Sequence, residues 1–314
     1  MNLTYLLKLV ISILLFAYLF LSVDFKEFIA LYTKIDFTYL VVYFVMGLVT
    51  TLFSSIKWLI LCRALDVKVS LRLLYSYYFL GYFYNNFLPT SVGGDVVRGL
   101  ELSKWSNSKA DSFATVFAER YSGFITLVLL ISLVIFLDER IYSNLIVVSV
   151  YVLLIVAFVF GSLLIFNQRI GQFFERRFPF LLVKKICGKV SSFQESLFLY
   201  RRSGKTLVWA MVWSFLYYFA AIMTAFVGFK TLNVDLSLAN VFIAVPIMMM
   251  LFLLPISLGG LGLQEWAHAF VFSLLGVSTV IGVGLGILFR FRQFLFSGVG
   301  ALVSMYIVKK NRAD

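Results

Sequence analysis

Long uninterrupted apolar runs set the first limit on this chain. From Tyr142 to Phe166 there is no charged residue at all. A helix rises about 1.5 Å per residue, so about 20 residues cross about 30 Å of hydrocarbon. Barrel strands are about half that length. Backbone groups in lipid must also bond within their own segment, which leaves the helix as the form for these runs. Six complete spans are expected, at about Tyr5–Val23, Tyr39–Leu61, Phe113–Leu137, Tyr142–Phe166, Thr206–Phe229 and within Val277–Val308. The first run looks superficially like a signal peptide. It lacks an Ala-x-Ala-like cleavage site and further spans follow, so it reads as a retained helix. Overall the chain is 62% hydrophobic and 13% charged. That excludes a disordered chain, a secreted disulfide scaffold and an ordinary soluble enzyme. The expected fold is all-α: a polytopic membrane protein, one integral domain over residues 1–314.

Charge orients the spans. Lys and Arg number 27 against 15 Asp and Glu, a formal charge of +12. In a membrane protein such an excess marks cytoplasmic loops and anionic headgroups, and no nucleic-acid partner is expected. The segment 167–205 is the most basic, with only Glu175 and Glu195 opposing its cations. It reads as a cytoplasmic connection carrying amphipathic surface helices. Both termini are then cytoplasmic, in a multi-pass protein of the cell membrane. Asp24 to Asp36 reads as a mixed-charge loop. Lys57, Lys104, Lys109 and Lys230 read as snorkelling or loop charges. Cys62 and Cys187 lie far apart and His268 is the single histidine. No disulfide framework, metal site or cofactor is expected, and His268 reads as a packed or locally bonded residue.

Two breaks in the apolar pattern resemble each other. Leu88-Pro89-Thr90-Ser91-Val92-Gly93-Gly94 and Leu254-Pro255-Ile256-Ser257-Leu258-Gly259-Gly260 share the pattern Leu-Pro-x-Ser-x-Gly-Gly, 166 residues apart. Proline lacks an N–H and glycine favours a break. Each copy follows a short apolar segment and is trailed by an acid, Asp95 or Glu265. With the amino terminus inside, the first break is approached from inside and the second from outside. This predicts two inverted pseudo-symmetric halves, about 37–166 and 206–308, each with a Pro/Gly-broken re-entrant segment. Secondary transporters use such an arrangement. Eight complete spans is the other count.

Ionisable residues among apolar neighbours are costly and point to function. The candidates are Asp95, Arg98, Glu119, Arg120, Glu265, Arg290 and Arg292, with Pro89, Gly93, Gly94, Pro255, Gly259, Gly260 and Gly262 as the structural breaks. Arginine can hold a phosphate through two charge-assisted hydrogen bonds. Helix N-termini freed at the breaks favour anions. No catalytic constellation is found: Gly93-Gly94-Asp95 lacks the Gly-Lys-Ser/Thr of a nucleotide loop.

These residues also carry a resemblance. Asn86-Phe87-Leu88-Pro89 with Gly93-Gly94-Asp95 and Arg98, then Glu119-Arg120, then Pro255-x-Ser257-x-Gly259-Gly260-x-Gly262-x-x-Glu265 resembles the lysylphosphatidylglycerol synthase transmembrane-region family of flippase-like proteins. The likeness covers roughly residues 5–308. It implies movement of a lipid across the bilayer and places Pro89, Gly93, Gly94, Asp95, Arg98, Glu119, Arg120, Pro255, Gly259, Gly260, Gly262 and Glu265 in its motifs. Arg290 and Arg292 rest on the residue argument alone. In fused relatives a cytosolic synthetase domain makes the lipid. This chain stops at Asp314, so the expectation is a stand-alone member that synthesises no lysyl-phosphatidylglycerol itself. The expected activity is flipping of a phospholipid or glycolipid. A small-solute or ion transporter, or a membrane enzyme acting on a lipid headgroup, are the alternatives. The expected partners are membrane lipids with an anionic headgroup. A second copy of the chain and a separate lipid-modifying enzyme are further partners left open.

Overall fold

A computed structural model describes residues 3–87, 93–167 and 181–310. Every regular element in them is helical. Thirteen α-helices follow in order: α1 Leu3–Ser22, α2 Phe25–Thr33, α3 Phe37–Ala64, α4 Leu71–Phe87, α5 Gly93–Leu102, α6 Lys109–Leu137, α7 Glu139–Tyr142, α8 Leu145–Phe166, α9 Leu181–Leu199, α10 Gly204–Thr231, α11 Leu238–Phe252, α12 Leu263–Leu274 and α13 Thr279–Lys310. Six are long and apolar enough to cross a membrane: Tyr5–Ser22, Phe37–Ala64, Lys109–Leu137, Leu145–Phe166, Gly204–Thr231 and Thr279–Ile307. The chain is a multi-pass membrane protein with the expected number of long spans.

Polar residues at the helix starts set the boundaries. Asp36 accepts hydrogen bonds from the Thr38 and Tyr39 amides and opens α3. Asn144 does the same for α8 and Ser237 for α11. Each satisfies an amide that has no partner within its helix. One expectation is corrected here: the Asp24–Asp36 segment contains helix α2. Asp24 caps it, Phe28 packs on Tyr32, and the Tyr32 hydroxyl donates to the Gly284 carbonyl at 2.7 Å. The charges read as a loop are a cap and a solvated face.

At the centre α3 packs against α10 over most of its length, and α13 packs against α4 and α12. Glycines permit the closest approaches. A methyl on Gly282 would lie 2.7 Å from Ala269 Cα, and one on Gly286 would lie 3.0 Å from Glu265 Cα. Small residues four apart on α13 thus let the α12 backbone approach closely. Helix α8 is peripheral: 6% of its apolar window is buried against 50% for α13. Its large side chains face outward, as lipid contact requires.

Two short-helix pairs carry the site. Helices α4 and α5 pack together, with the Gly94 amide donating to Asn85 Oδ1 at 2.7 Å, and Trp105 in the turn after α5 donates from Nε1 to Tyr77 Oη at 3.2 Å. Helices α11 and α12 pack together around Phe252 and His268, whose rings are 5.5 Å apart. Pro255 lies in the non-helical connection between them. The element order of a long helix, two short helices and a long helix occurs twice, as α3–α6 and as α10–α13. Pro89 and its neighbours Leu88 to Val92 lie outside the described residues, as does the start of the basic connection. The remainder of that connection forms α9 and a short 3-10 turn.

Candidate functional site

Helix α6 supplies adjacent opposite charges. Glu119 and Arg120 leave it about 100° apart and so face different surroundings. Glu119 points into the packing of α3 and α5. Its Oε1 is 2.9 Å from Lys57 Nζ and its Oε2 is 3.5 Å from Arg98 Nη2. Lys57 Nζ also donates to the Glu119 carbonyl at 3.0 Å and to Ser214 Oγ at 3.3 Å. Lys57 is only 2% exposed. The reading of Lys57 as a snorkelling charge is therefore corrected. The lysine turns inward because Glu119 and Ser214 offer acceptors that lipid does not. Lys104 and Lys230 do pair locally, with Glu101 and Asp235.

Arg98 continues this network. Nη1 donates to Asp95 Oδ1 at 3.0 Å, and its guanidinium lies 4.2 Å from the Trp58 ring centre and 3.8 Å from that of Tyr78. Aromatic faces stabilise a cation that water cannot reach. Arg120 then holds Asp95 bidentately, with Nε to Oδ2 at 2.8 Å and Nη2 to Oδ1 at 2.9 Å. Asp95 is bridged by two arginines and Glu119 by an arginine and a lysine.

A second network sits at the second break. Gly259, Gly260 and Gly262 have φ of 56°, 77° and 76°. That left-handed region favours glycine, and here it turns the chain from α11 into α12. Glu265 reaches back to accept the Gly262 amide at 3.0 Å. Its other oxygen accepts from Arg290 Nε at 2.8 Å. Arg290 also donates to the Gly260 carbonyl at 2.8 Å and to Gln293 Oε1 at 3.2 Å. Arg290 thus clamps α13 to the glycine turns. His268 Nδ1 is 2.7 Å from the Gln264 carbonyl, the local bonding expected of it.

Arg292 is two residues farther along, about 200° around the helix, and faces away from that clamp. Its guanidinium lies 4.7 Å from the Tyr43 ring centre and 5.0 Å from that of Phe289. No carboxylate pairs with it among the described residues. Its Nη1 is buried without a hydrogen-bond partner.

A cavity of about 760 Å³ joins the two networks. Asp95, Arg120, Gln264, His268, Arg292 and Gln293 line it, and the rest of its wall is mainly Phe, Met, Leu, Val and Tyr from both short-helix pairs and the long helices. Arg120 keeps 57% of its side-chain surface free because it borders this space. Arg98, Glu119, Glu265 and Arg290 do not line it; they stand behind the wall and hold the lining residues or the break. Gly93 and Gly94 sit in the first turn of α5, where Gly94 lies against the α4 backbone at Gly81. No cluster of metal-ligand side chains occurs among the described residues. Lys57, Trp58, Tyr78 and Tyr43 were not on the sequence list. Lys57 carried a signal nonetheless: it follows Ser54 and Ser55 on one helix and lies two turns from that helix's end.

The fold and cavity define a multi-pass helical membrane protein with paired charges held inside an apolar body. The chain belongs to the lysylphosphatidylglycerol synthase TM region family, whose model matches residues 5–300. A UPF0104 membrane protein of Methanothermobacter thermautotrophicus is 25% identical over 295 residues, covering 87% of this chain and 86% of that protein. A UPF0104 membrane protein of Pyrococcus horikoshii is 22% identical over 305 residues, covering 90% of each. No solved structure matches the chain.

Proposed function

We propose that this protein moves a phospholipid or glycolipid across the bilayer, with the headgroup passing through the cavity and the acyl chains staying in apolar surroundings. The observation that carries this reading is the composition of the cavity wall. Arginine side chains share one space with a mainly aromatic and aliphatic lining, which suits an amphiphile with an anionic head. Family membership supports it through the flippase-like character of that family.

In this reading Arg120 and Arg292 meet the anionic head. Asp95, Arg98, Glu119, Glu265 and Arg290 hold the surrounding elements at the right spacing. The repeated element order suits two halves, about 37–166 and 206–308, which this reading takes to be related by inverted topology. The two short-helix pairs would then enter from opposite sides as re-entrant segments. One half rocking against the other would alternate access. The basic 167–205 connection and both termini are assigned to the cytoplasmic side by the positive-inside rule.

The test is reconstitution in liposomes containing fluorescent phospholipids, followed by dithionite quenching. Protein-containing vesicles are expected to lose more signal than empty ones, and Arg120→Ala and Arg292→Ala to reduce that excess while remaining folded. Equal loss in empty vesicles would remove general phospholipid movement. Uptake of a small solute without lipid movement would favour the solute transporter instead.

A further inference from the structure

The charges around the cavity do not balance. Five cations, Lys57, Arg98, Arg120, Arg290 and Arg292, stand in or directly behind its wall. Three carboxylates, Asp95, Glu119 and Glu265, oppose them. Lys57 donates to a carboxylate, a carbonyl and a hydroxyl, as a protonated ammonium does. Among the described residues the site therefore carries two surplus positive charges inside an apolar body. Uncompensated charge in such surroundings is expensive.

The surplus also has a location. Arg98 and Arg290 have carboxylates and no contact with the cavity. Arg120 borders it but gives two hydrogen bonds to Asp95. Arg292 alone of these arginines borders it with no carboxylate partner, aromatic rings against its guanidinium, and a buried Nη1 lacking an acceptor. Gln293 beside it is a neutral amide bonded to Arg290.

We infer that the cavity selects a lipid whose phosphate head carries two negative charges, a phosphomonoester or a diphosphate esterified at both ends, with Arg292 as its anchoring cation. A zwitterionic head would leave both surplus charges unmatched, and a phosphodiester would leave one. The inference rests on the reading of the cavity as a lipid path, but concerns which head it holds.

Binding to the purified full chain in detergent, at pH 8, tests it. That pH lies above the second phosphate ionisation near about 6. Five probes are compared: farnesyl phosphate, dioctanoyl phosphatidic acid, dioctanoyl phosphatidylglycerol, dioctanoyl phosphatidylcholine and inorganic phosphate. The two doubly charged lipids are expected to bind at least about tenfold more tightly than phosphatidylglycerol, the scale of one charge-assisted hydrogen bond. Inorganic phosphate is expected to bind more weakly than farnesyl phosphate. Arg292→Gln should lose about tenfold for the doubly charged lipids, and Arg292→Lys should recover part of it. If Arg292→Gln does not fold, Gln293→Glu carries the test. It is isosteric, removes one surplus charge and should shrink the preference toward phosphatidylglycerol. Equal affinity for singly and doubly charged lipids, or a preference unchanged in folded Arg292→Gln or Gln293→Glu, overturns the inference. Inorganic phosphate binding as tightly as the lipid overturns it in favour of a free anion. Charge-selective binding without movement in liposomes would sink the transport reading and leave this one standing; movement without charge preference would do the reverse.

Discussion

The two charged regions begin from nearly the same sequence pattern and use it differently. At the first, Gly93 and Gly94 open a helix, and Gly94 serves close packing: a methyl there would meet the Gly81 carbonyl at 2.3 Å. At the second, Gly259, Gly260 and Gly262 take left-handed conformations and form the turn itself. The trailing acids differ too. Asp95 is shared by two arginine side chains. Glu265 is shared between one arginine and a backbone amide. The first region is therefore a side-chain network spread over α3, α5 and α6. The second is a clamp that fixes one segment of irregular backbone. Each region holds one cation more than it has carboxylates: in the first the cation that borders the cavity, Arg120, is held by Asp95, whereas in the second Arg292 borders it with no carboxylate.

Four measurements would break or sharpen this contrast. The largest effect is expected from Glu119→Gln, which leaves Lys57 and Arg98 without their shared carboxylate. Removing one partner of a buried ion pair costs about 3–5 kcal/mol. Thermal unfolding in detergent should show a correspondingly large drop, and an unchanged midpoint would mean that the network contributes little. Glu265→Gln should cost less, about 2–3 kcal/mol, because Arg290 keeps carbonyl and amide acceptors after the carboxylate is removed. Equal losses at the two sites would erase the distinction between network and clamp. Gly94→Ala should cost about 1–3 kcal/mol through overpacking against the α4 backbone. Thermal unfolding in detergent would report it, and a midpoint equal to that of the wild type would refute the close-packing role.

The smallest effect is expected outside the spans. Hydrogen bonds from Arg140 hold the Asp138 carboxyl below its usual range. A depressed folded-state value contributes stability above the unfolded value and loses it as pH falls through the folded one. Asp138→Asn should therefore change stability by about 1 kcal/mol at pH 7, because Asp138 is buried but its partner Arg140 is half exposed and solvent-screened. The difference from wild type should begin to shrink near about pH 4, the free aspartate value, and vanish only below the depressed folded-state value. A difference that does not shrink at all as pH falls from about 5 through the acid range would show that the residue acts through something other than its charge.

Much of this protein follows from order along the chain. The long spans were legible because hydrophobic length is a local property, and bilayer thickness converts it directly into helix length. The unusual residues were legible for a similar reason: Asp95, Glu119, Arg120, Glu265, Arg290 and Arg292 stand out against their own neighbours. Helix α2 was obscured because its amphipathic pattern is short and its cap reads as loop chemistry. Lys57 was misread because one lysine near the end of a span looks the same whether it reaches outward to water or inward to a distant carboxylate.

Partnership could not be read this way. Glu119 meets Lys57 across 62 positions and Ser214 meets Lys57 across 157. No local rule links such positions. Arg290 and Arg292 differ by two residues in sequence and by about 200° on the helix, so one is neutralised at the glycine turn and the other is left with aromatic faces. Composition and hydrophobic period decided that the chain would be a bundle of membrane helices with charge inside it. Close packing through Gly81, Gly94, Gly282 and Gly286 decided which charges would meet, because only the assembled backbone sets the distances over which charges attract.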